Sequence, residues 1–227
     1  MEEQPNYANL RDRMVTQQLV GHGITDQRVL AAMRRVPRHR FVDPDQAALA
    51  YENHPLPIGA DQTISQPLMV AIMLQAAELS GAENVLEVGA GSGYQAALLA
   101  ELAARVTSIE RIEALASRAR GTMQSLGYAT VEIIWGDGSL GYLPNAPYDR
   151  IIVAAGAPRV PEPLLEQLAP GGRLILPVGN RRDQTLILIS KDADGNVSRR
   201  EEGWCSFVPL VGRAAWPGPV SEQTPPT

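Results

Sequence analysis

The chain has 227 residues, a size that allows one domain with an extension and a sizeable buried core. Hydrophobic residues make up 44% and charged residues 20%, ordinary for a soluble globular protein, and the net charge of −5 gives the chain as a whole no attraction for a nucleic-acid backbone. The single cysteine excludes an internal disulfide framework; with no apolar run of ~18 residues and a polar, acidic start (MEEQPNY), the expectation is a cytoplasmic protein with no membrane partner.

Residues 1–8 read as a loose start. Leu10, Met14 and Leu19 lie at roughly helical spacing over 9–21, a helix ended by Gly21 and Gly23. Thr25 is placed to cap a second helix carrying Val29, Leu30 and Met33, with Asp26 in its first turn and Pro37 beyond its end. The basic run Arg34, Arg35, Arg38, His39 and Arg40 reads as a solvated helix end, with contact to an anion as the alternative. Residues 51–66, with Pro55, Pro57 and Gly59, predict an ordered loop or a short strand. Pro67 then opens a helix with the stripe Leu68, Ile72, Gln75, Ala76, Leu79, ended by Gly81.

From there strands and helices alternate. Strands are expected at 85–89, 105–110, 131–136, 149–155 and 172–178, and helices at 93–104, 112–126 and 161–168. The runs 184–190 and the segment after Asp192–Gly195 look like a hairpin. This order predicts an α/β fold, a doubly wound, mostly parallel sheet of Rossmann-like type with an N-terminal helical extension and an antiparallel C-terminal edge. The expected division is 1–66 for the extension and a substrate loop, 67–216 for the core, and 217–227 for a Pro-, Ser- and Thr-rich disordered tail. Cys205, between Trp204 and Ser206, reads as a small buried hydrophobe.

The stretch VLEVGAGSGYQAALLA (85–100) carries the clearest chemistry. An apolar strand ends in Glu87, a loop follows with Gly89, Gly91, Ser92 and Gly93, and an apolar helix begins. Such a corner brings unpaired N–H groups to a nucleotide-like ligand, or is only a tight turn. Tyr94 stands where a dinucleotide fingerprint has its third glycine, which weakens a nicotinamide dehydrogenase reading. An acid two residues ahead of G-x-G-x-G points instead to S-adenosylmethionine.

Glu110 ends the second strand, where a carboxylate can accept from two ribose hydroxyls or simply be solvated. Asp137 and Gly138, in WGDG (135–138), follow the third strand, where the acid can accept from an adenine amine or close an Asx turn. Three acids, Glu87, Glu110 and Asp137, thus sit at three successive strand ends on one rim. One adenosine ligand could satisfy them, with its amino-acid end near Glu87. Thr63, Ile64, Ser65 and Gln66 lie before a helix start, where Ser65 is either an N-cap or a donor to a substrate carboxylate. No His or Asp motif accompanies Ser65 as in a hydrolytic triad, and the three histidines lack metal-ligand spacing.

The chain resembles the protein-L-isoaspartate (D-aspartate) O-methyltransferase family from about residue 9 to 212. The likeness is carried by YENHPLPIGADQTISQPLMVAIM (51–73), the glycine segment, VTSIER (106–111), WGDG, YDRIIVAAGAPRVPEPLLEQLAPGGRLILPVG (148–179) and FVPLVG (207–212). The resemblance implies a class I methyltransferase fold, S-adenosyl-L-methionine as donor, and isoaspartyl residues of damaged proteins and peptides as acceptor, handled by a monomer. It implies Ser65 as the active-site serine. Glu87, Gly89, Gly91, Ser92, Gly93, Glu110, Asp137 and Gly138 are expected at the cofactor, and Thr63, Ile64, Ser65, Gln66, Val208, Pro209 and Leu210 at the substrate. The segment Val208–Val211 is expected to pair with substrate backbone. Two departures bear on substrate choice: Asp61 stands where many members have glycine, and AAGAP (154–158) where they often have TAAPP.

Overall fold

The computed structural model describes residues 6–218. Helix α1 (Tyr7–Arg13) starts at Asn6, whose side chain accepts from the N–H of Asn9. Residues 6–8 are therefore part of the helix start and not loose; residues 1–5 and 219–227, including most of the expected tail, lie outside the described residues. The chain winds on through a π-helical turn (Met14–Leu19) and a short 3-10 turn to Gly23 at φ +90°. Helix α2 (Gln27–Arg35) is capped by Asp26, whose carboxylate accepts from the N–H groups of Arg28 and Val29. Thr25 is not the cap; its N–H donates to Gln75 of the later helix α3 (Pro67–Ala77) at 2.8 Å.

Residues 51–66 contain a small antiparallel hairpin, β1 (Leu56–Gly59) and β2 (Gln62–Ile64). Its turn puts Ala60 at φ +50° and Asp61 at +56°, the left-handed region. Helix α3 ends at Ala77, with Glu78 at φ +47° as its left-handed cap, earlier than the glycine at 81 suggests.

The central sheet has seven strands: β3 (Asn84–Val88), β4 (Arg105–Glu110), β5 (Val131–Trp135), β6 (Tyr148–Val153), β7 (Leu168–Gly179), β8 (Gln184–Lys191) and β9 (Val197–Cys205). Their spatial order is β5-β4-β3-β6-β7-β8-β9. The first five are parallel, while β8 and β9 add the antiparallel edge. Helices α4 (Tyr94–Leu102), α5 (Glu113–Leu126) and α6 (Glu162–Glu166) make the crossovers. Strand β7 begins four residues before the expected start.

Alternation along β3 sends Val85 into one apolar core and Leu86 and Val88 into another, which is why the strand reads as an unbroken apolar run. The first core extends from Met14 to Phe207, so the N-terminal helices complete the core on one face of the sheet. The chain steps outward from β3 through β4 to β5, then returns to β6 on the other side. Loops leaving β3 and β6 therefore diverge, and a crevice opens at the carboxyl ends of the strands. No helix among the described residues is long and apolar enough to cross a membrane.

The hairpin turn gives a direct test. Left-handed backbone strains most L residues by about 1–2 kcal/mol and a β-branched one most of all. Asp61→Gly should hold stability within about 1 kcal/mol, and Asp61→Val should lower it by about 1–2 kcal/mol, read from urea midpoints at constant slope.

Candidate active site

Three loops and the C-terminal segment line a narrow cleft at this crevice, bounded by Gly89, Gly91, Glu110, Gly138, Pro209 and Leu210. Gly89, Gly91 and Gly93 have φ of +94°, +53° and +88°, so the loop needs glycine at all three. The N–H groups of Gly89 and Ala90 donate to the carbonyl of Ile109, tying the loop to the end of β4. Gly91 N–H donates to Glu110 Oε2 at 2.8 Å, and Ile112 N–H to Oε1 at 2.9 Å. A carboxylate offers about four lone-pair sites, so Glu110 keeps acceptor capacity beyond these backbone bonds. Burial pushes the Glu110 carboxyl above its ordinary range, while the N–H groups of Ile112 and Gly91 pull it back. At Gly138 a Cβ would stand 2.5 Å from Val88 Cγ1, so the loop after β5 needs glycine to close on the sheet.

The other two rim acids are placed differently. Glu87 is fully buried behind the glycine loop and does not line the cleft. Strand alternation puts it on the same face as Val85, where Ser108 Oγ donates to its Oε2 and Oε1 has no hydrogen-bond partner. Burial, with the Glu110 charge nearby, pushes its carboxyl up to about 8 although Ser108 opposes the shift. Asp137 closes the Asx turn: its Oδ1 accepts from the N–H and hydroxyl of Ser139, and its Oδ2 from the N–H of Arg213 at 2.8 Å. It clasps the C-terminal segment and leaves Gly138 to face the cleft. Ser92 is likewise committed locally, its hydroxyl accepting from the N–H of Tyr94 at the start of α4.

A second cavity of about 330 Å³ adjoins the cleft and is lined by Ser65, Gln66, Met69, Trp204 and Phe207 among others. Thr63, Ala154 and Val208 border both spaces. Thr63, Ile64 and Ser65 also face the glycine loop and Ser92 across a smaller gap. Ser65 is half-buried and is not a helix cap, since Gln66 holds that position and makes no side-chain cap. The structure thus brings the predicted serine loop against the predicted cofactor loop.

The C-terminal segment closes the cleft by pairing inward. Gly156 N–H donates to the Val208 carbonyl, and Leu210 N–H donates to the Gly156 carbonyl, both at 2.8 Å. Trp216 Nε1 donates to the same Gly156 carbonyl at 3.1 Å. The Val208 carbonyl and the Leu210 N–H are thus taken by Gly156 and are not among the groups of Val208–Val211 that can pair with a substrate backbone. A side chain at Gly156 would press on Gln184, with Cβ 2.8 Å from its Cδ, so the glycine of AAGAP is what lets this segment dock.

A family model for protein-L-isoaspartate(D-aspartate) O-methyltransferase matches residues 10–215. The chain belongs to this family. Protein-L-isoaspartate O-methyltransferase 1 of Syntrophobacter fumaroxidans is 54% identical over 213 residues, 94% of this chain and 99% of that one. The enzyme of the same name from Geobacter metallireducens is 53% identical over 211 residues, covering 93% and 98%. A solved protein-L-isoaspartate O-methyltransferase superposes with a TM-score of 0.82 at 28% identity, over 90% of this chain and 67% of that one. A Plasmodium falciparum structure assigned to the same enzyme, in complex with S-adenosyl-L-homocysteine, shares the fold with a TM-score of 0.76 at 24% identity, over 92% and 99%.

Within this methyltransferase fold, the residue that sequence reasoning misplaced most is Arg38. It is fully buried, not solvated. Its Nε donates to the Ala50 carbonyl at 2.7 Å and its NH2 group to the Ser65 carbonyl at 2.8 Å. The guanidinium lies 4.8 Å from the Tyr94 ring centroid, and burial lowers its pKa to about 10, which leaves it charged at neutral pH. Arg34 and Arg35 do fit the solvated reading, pairing with Asp12 and Glu101 at the surface. Nothing local marks Arg38, because its partners lie 12 and 27 residues away.

Two consequences can be measured. Arg38→Met leaves two carbonyls without their donor and should cost about 2–4 kcal/mol of stability, whereas Arg38→Lys should cost less, both read by urea unfolding. For Glu87, the folded carboxyl holds its proton up to about 8 while the unfolded one loses it near 4.5. The unfolded state then binds fewer protons across that window, so stability falls as pH rises through it, by up to ~1.4 kcal/mol per pH unit. Glu87→Gln should flatten this slope between pH 5 and 8 and give the more stable protein at pH 8.

Proposed function

We propose that the chain transfers a methyl group from S-adenosyl-L-methionine to the α-carboxylate of L-isoaspartyl residues in damaged proteins and peptides, initiating their repair. The observation that carries this reading is the meeting of the Ser65 loop with the glycine loop at a shared wall of Thr63, Ala154 and Val208. The donor fits the cleft chemically: a buried carboxylate with spare acceptor sites at Glu110, and backbone kept bare of side chains at Gly89, Gly91 and Gly138. Glu110 would hold the ribose hydroxyls, and the glycine-loop N–H groups and Gly138 the polar groups at either end. Glu87 and Asp137 would act behind them, one supporting the loop from the core and the other fixing the C-terminal wall. When bound, the donor supplies a methyl on a sulfonium.

The acceptor needs little activation. A carboxylate has a pKa near ~4 and is ionised at pH 7, so no general base has to remove a proton. The cavity agrees with this, since among the described residues its lining includes no ionised side chain: Thr63, Ser65, Gln66 and Ser206 are polar members. Orientation by neutral donors is what such a site offers, and holding reacting groups in near-attack geometry is a large rate factor. Ser65 donates to the carboxylate and does not form a covalent bond. Thr63, Ile64, Gln66, Val208, Pro209 and Leu210 shape the walls around an extended peptide. The methyl ester is then open to attack by the following backbone nitrogen, which breaks the ester C–O bond and releases methanol, giving a succinimide whose hydrolysis returns some normal aspartate. Action as a cytoplasmic monomer, without nucleic-acid or membrane partners, belongs to the same proposal.

The test is labelled methyl transfer to two matched peptides, one isoaspartyl and one aspartyl. Base-labile label on the isoaspartyl peptide alone is expected, and label on neither would direct attention to another acceptor. Ser65→Ala should lower kcat by about 10²-fold while the affinity for S-adenosylmethionine is retained. Unchanged turnover would remove Ser65 from the mechanism.

A further inference from the structure

Trp204 is 69% exposed, the most exposed aromatic among the large apolar side chains found at the surface. Its indole makes no hydrogen bond among the described residues, yet it lines the same cavity as Ser65. Pro55, Met69 and Phe207 contribute further apolar walls there. An exposed tryptophan with no structural partner, on the wall of a binding cavity, is surface left available for contact.

The backbone sets the face that it takes. Strand β9 pairs with β8 in register from Val197 to Glu201 opposite Lys191 to Ile187, and then Gly203 is opposite Leu186. Glu202 is the extra residue of a β-bulge, and Gly203 sits at φ +127°, a value suited to glycine. One inserted residue inverts the face of everything after it. Cys205 therefore turns toward the core, at 1% exposure, and Trp204 to the opposite face of the strand, where it stays exposed; both residues border the cavity.

We infer that Trp204, with Pro55, Met69 and Phe207, forms a subsite for an apolar side chain flanking the isoaspartyl residue, and sets this chain's preference among damaged sequences. The inference rests on the proposed peptide substrate. Its chemistry follows from the lining: apolar surface favours an aliphatic or aromatic neighbour, and no cation in the lining rewards an acidic one.

The experiment measures kcat/KM on isoaspartyl peptides that differ only in the residue flanking the isoaspartate, on either side: glycine, leucine, phenylalanine, aspartate or arginine. Wild type should favour leucine or phenylalanine over glycine by about tenfold on one side, mostly through KM, as burial of one apolar side chain allows. Trp204→Ala should collapse that ratio while the KM for S-adenosylmethionine stays the same, and Trp204→Phe should keep most of it. Equal use of all peptides by wild type, a ratio that survives in Trp204→Ala, or a preference for arginine above both apolar residues would each overturn the subsite. Failure to label any isoaspartyl peptide would instead overturn the proposed acceptor, so the two readings fail separately. The wild-type comparison stands even if Trp204→Ala does not fold.

Discussion

Arg38 reaches the carbonyls of Ala50 and Ser65 from a fully buried position and lies over the ring of Tyr94, and three parts of the chain meet at that guanidinium. The N-terminal extension supplies the arginine, the hairpin region supplies the serine loop, and the methyltransferase core supplies Tyr94 at the start of α4. A buried charge is costly unless it is bonded, so these partners are held in place by the penalty for leaving it alone. The placement of Ser65 against the glycine loop depends on this contact more than on any local turn signal. It also gives the N-terminal extension a structural role: it carries the guanidinium that holds the Ser65 loop.

The three acids of the rim show how one sequence pattern divides into separate physical tasks. Glu110 reaches the cleft because it is the last residue of β4, where the strand ends and its carboxylate can turn toward the loop. Glu87 lies one residue inside the end of β3, on the core-facing side, and so is held in a dry environment that favours its neutral form. Asp137 lies past the end of β5 and is drawn into an Asx turn, from which it also holds the segment at Arg213. Residue type and approximate spacing are alike at the three positions. Strand parity and distance from the strand end make them differ.

The reaction suits a site built this way. An acceptor that is already ionised asks for placement and for exclusion of competing water, not for proton transfer. The cleft is shaped largely by backbone: left-handed glycines in the loop after β3, and Gly156 pairing with the closing segment. Gly138 and Gly156 let chain segments approach one another closely, and no charged side chain among the described residues lines the cavity beside Ser65.

Periodicity alone located the strands and helices of the core, because apolar runs of four to seven residues between glycine and proline breaks have few other folded uses. The spacing of glycines and acids at the strand ends singled out Gly89, Gly91, Gly93, Glu110 and Gly138, which line or border the cleft through local geometry. The family patterns TISQP and FVPLVG pointed to the acceptor side. Tertiary structure decided what local patterns do not encode. It buried Arg38 by bringing Ala50 and Ser65 to it, withdrew Glu87 and Asp137 from the cleft wall, and occupied Val208 and Leu210 with Gly156. Local chemistry is written in neighbours along the chain, but burial, pairing and the face a side chain presents depend on residues dozens of positions away.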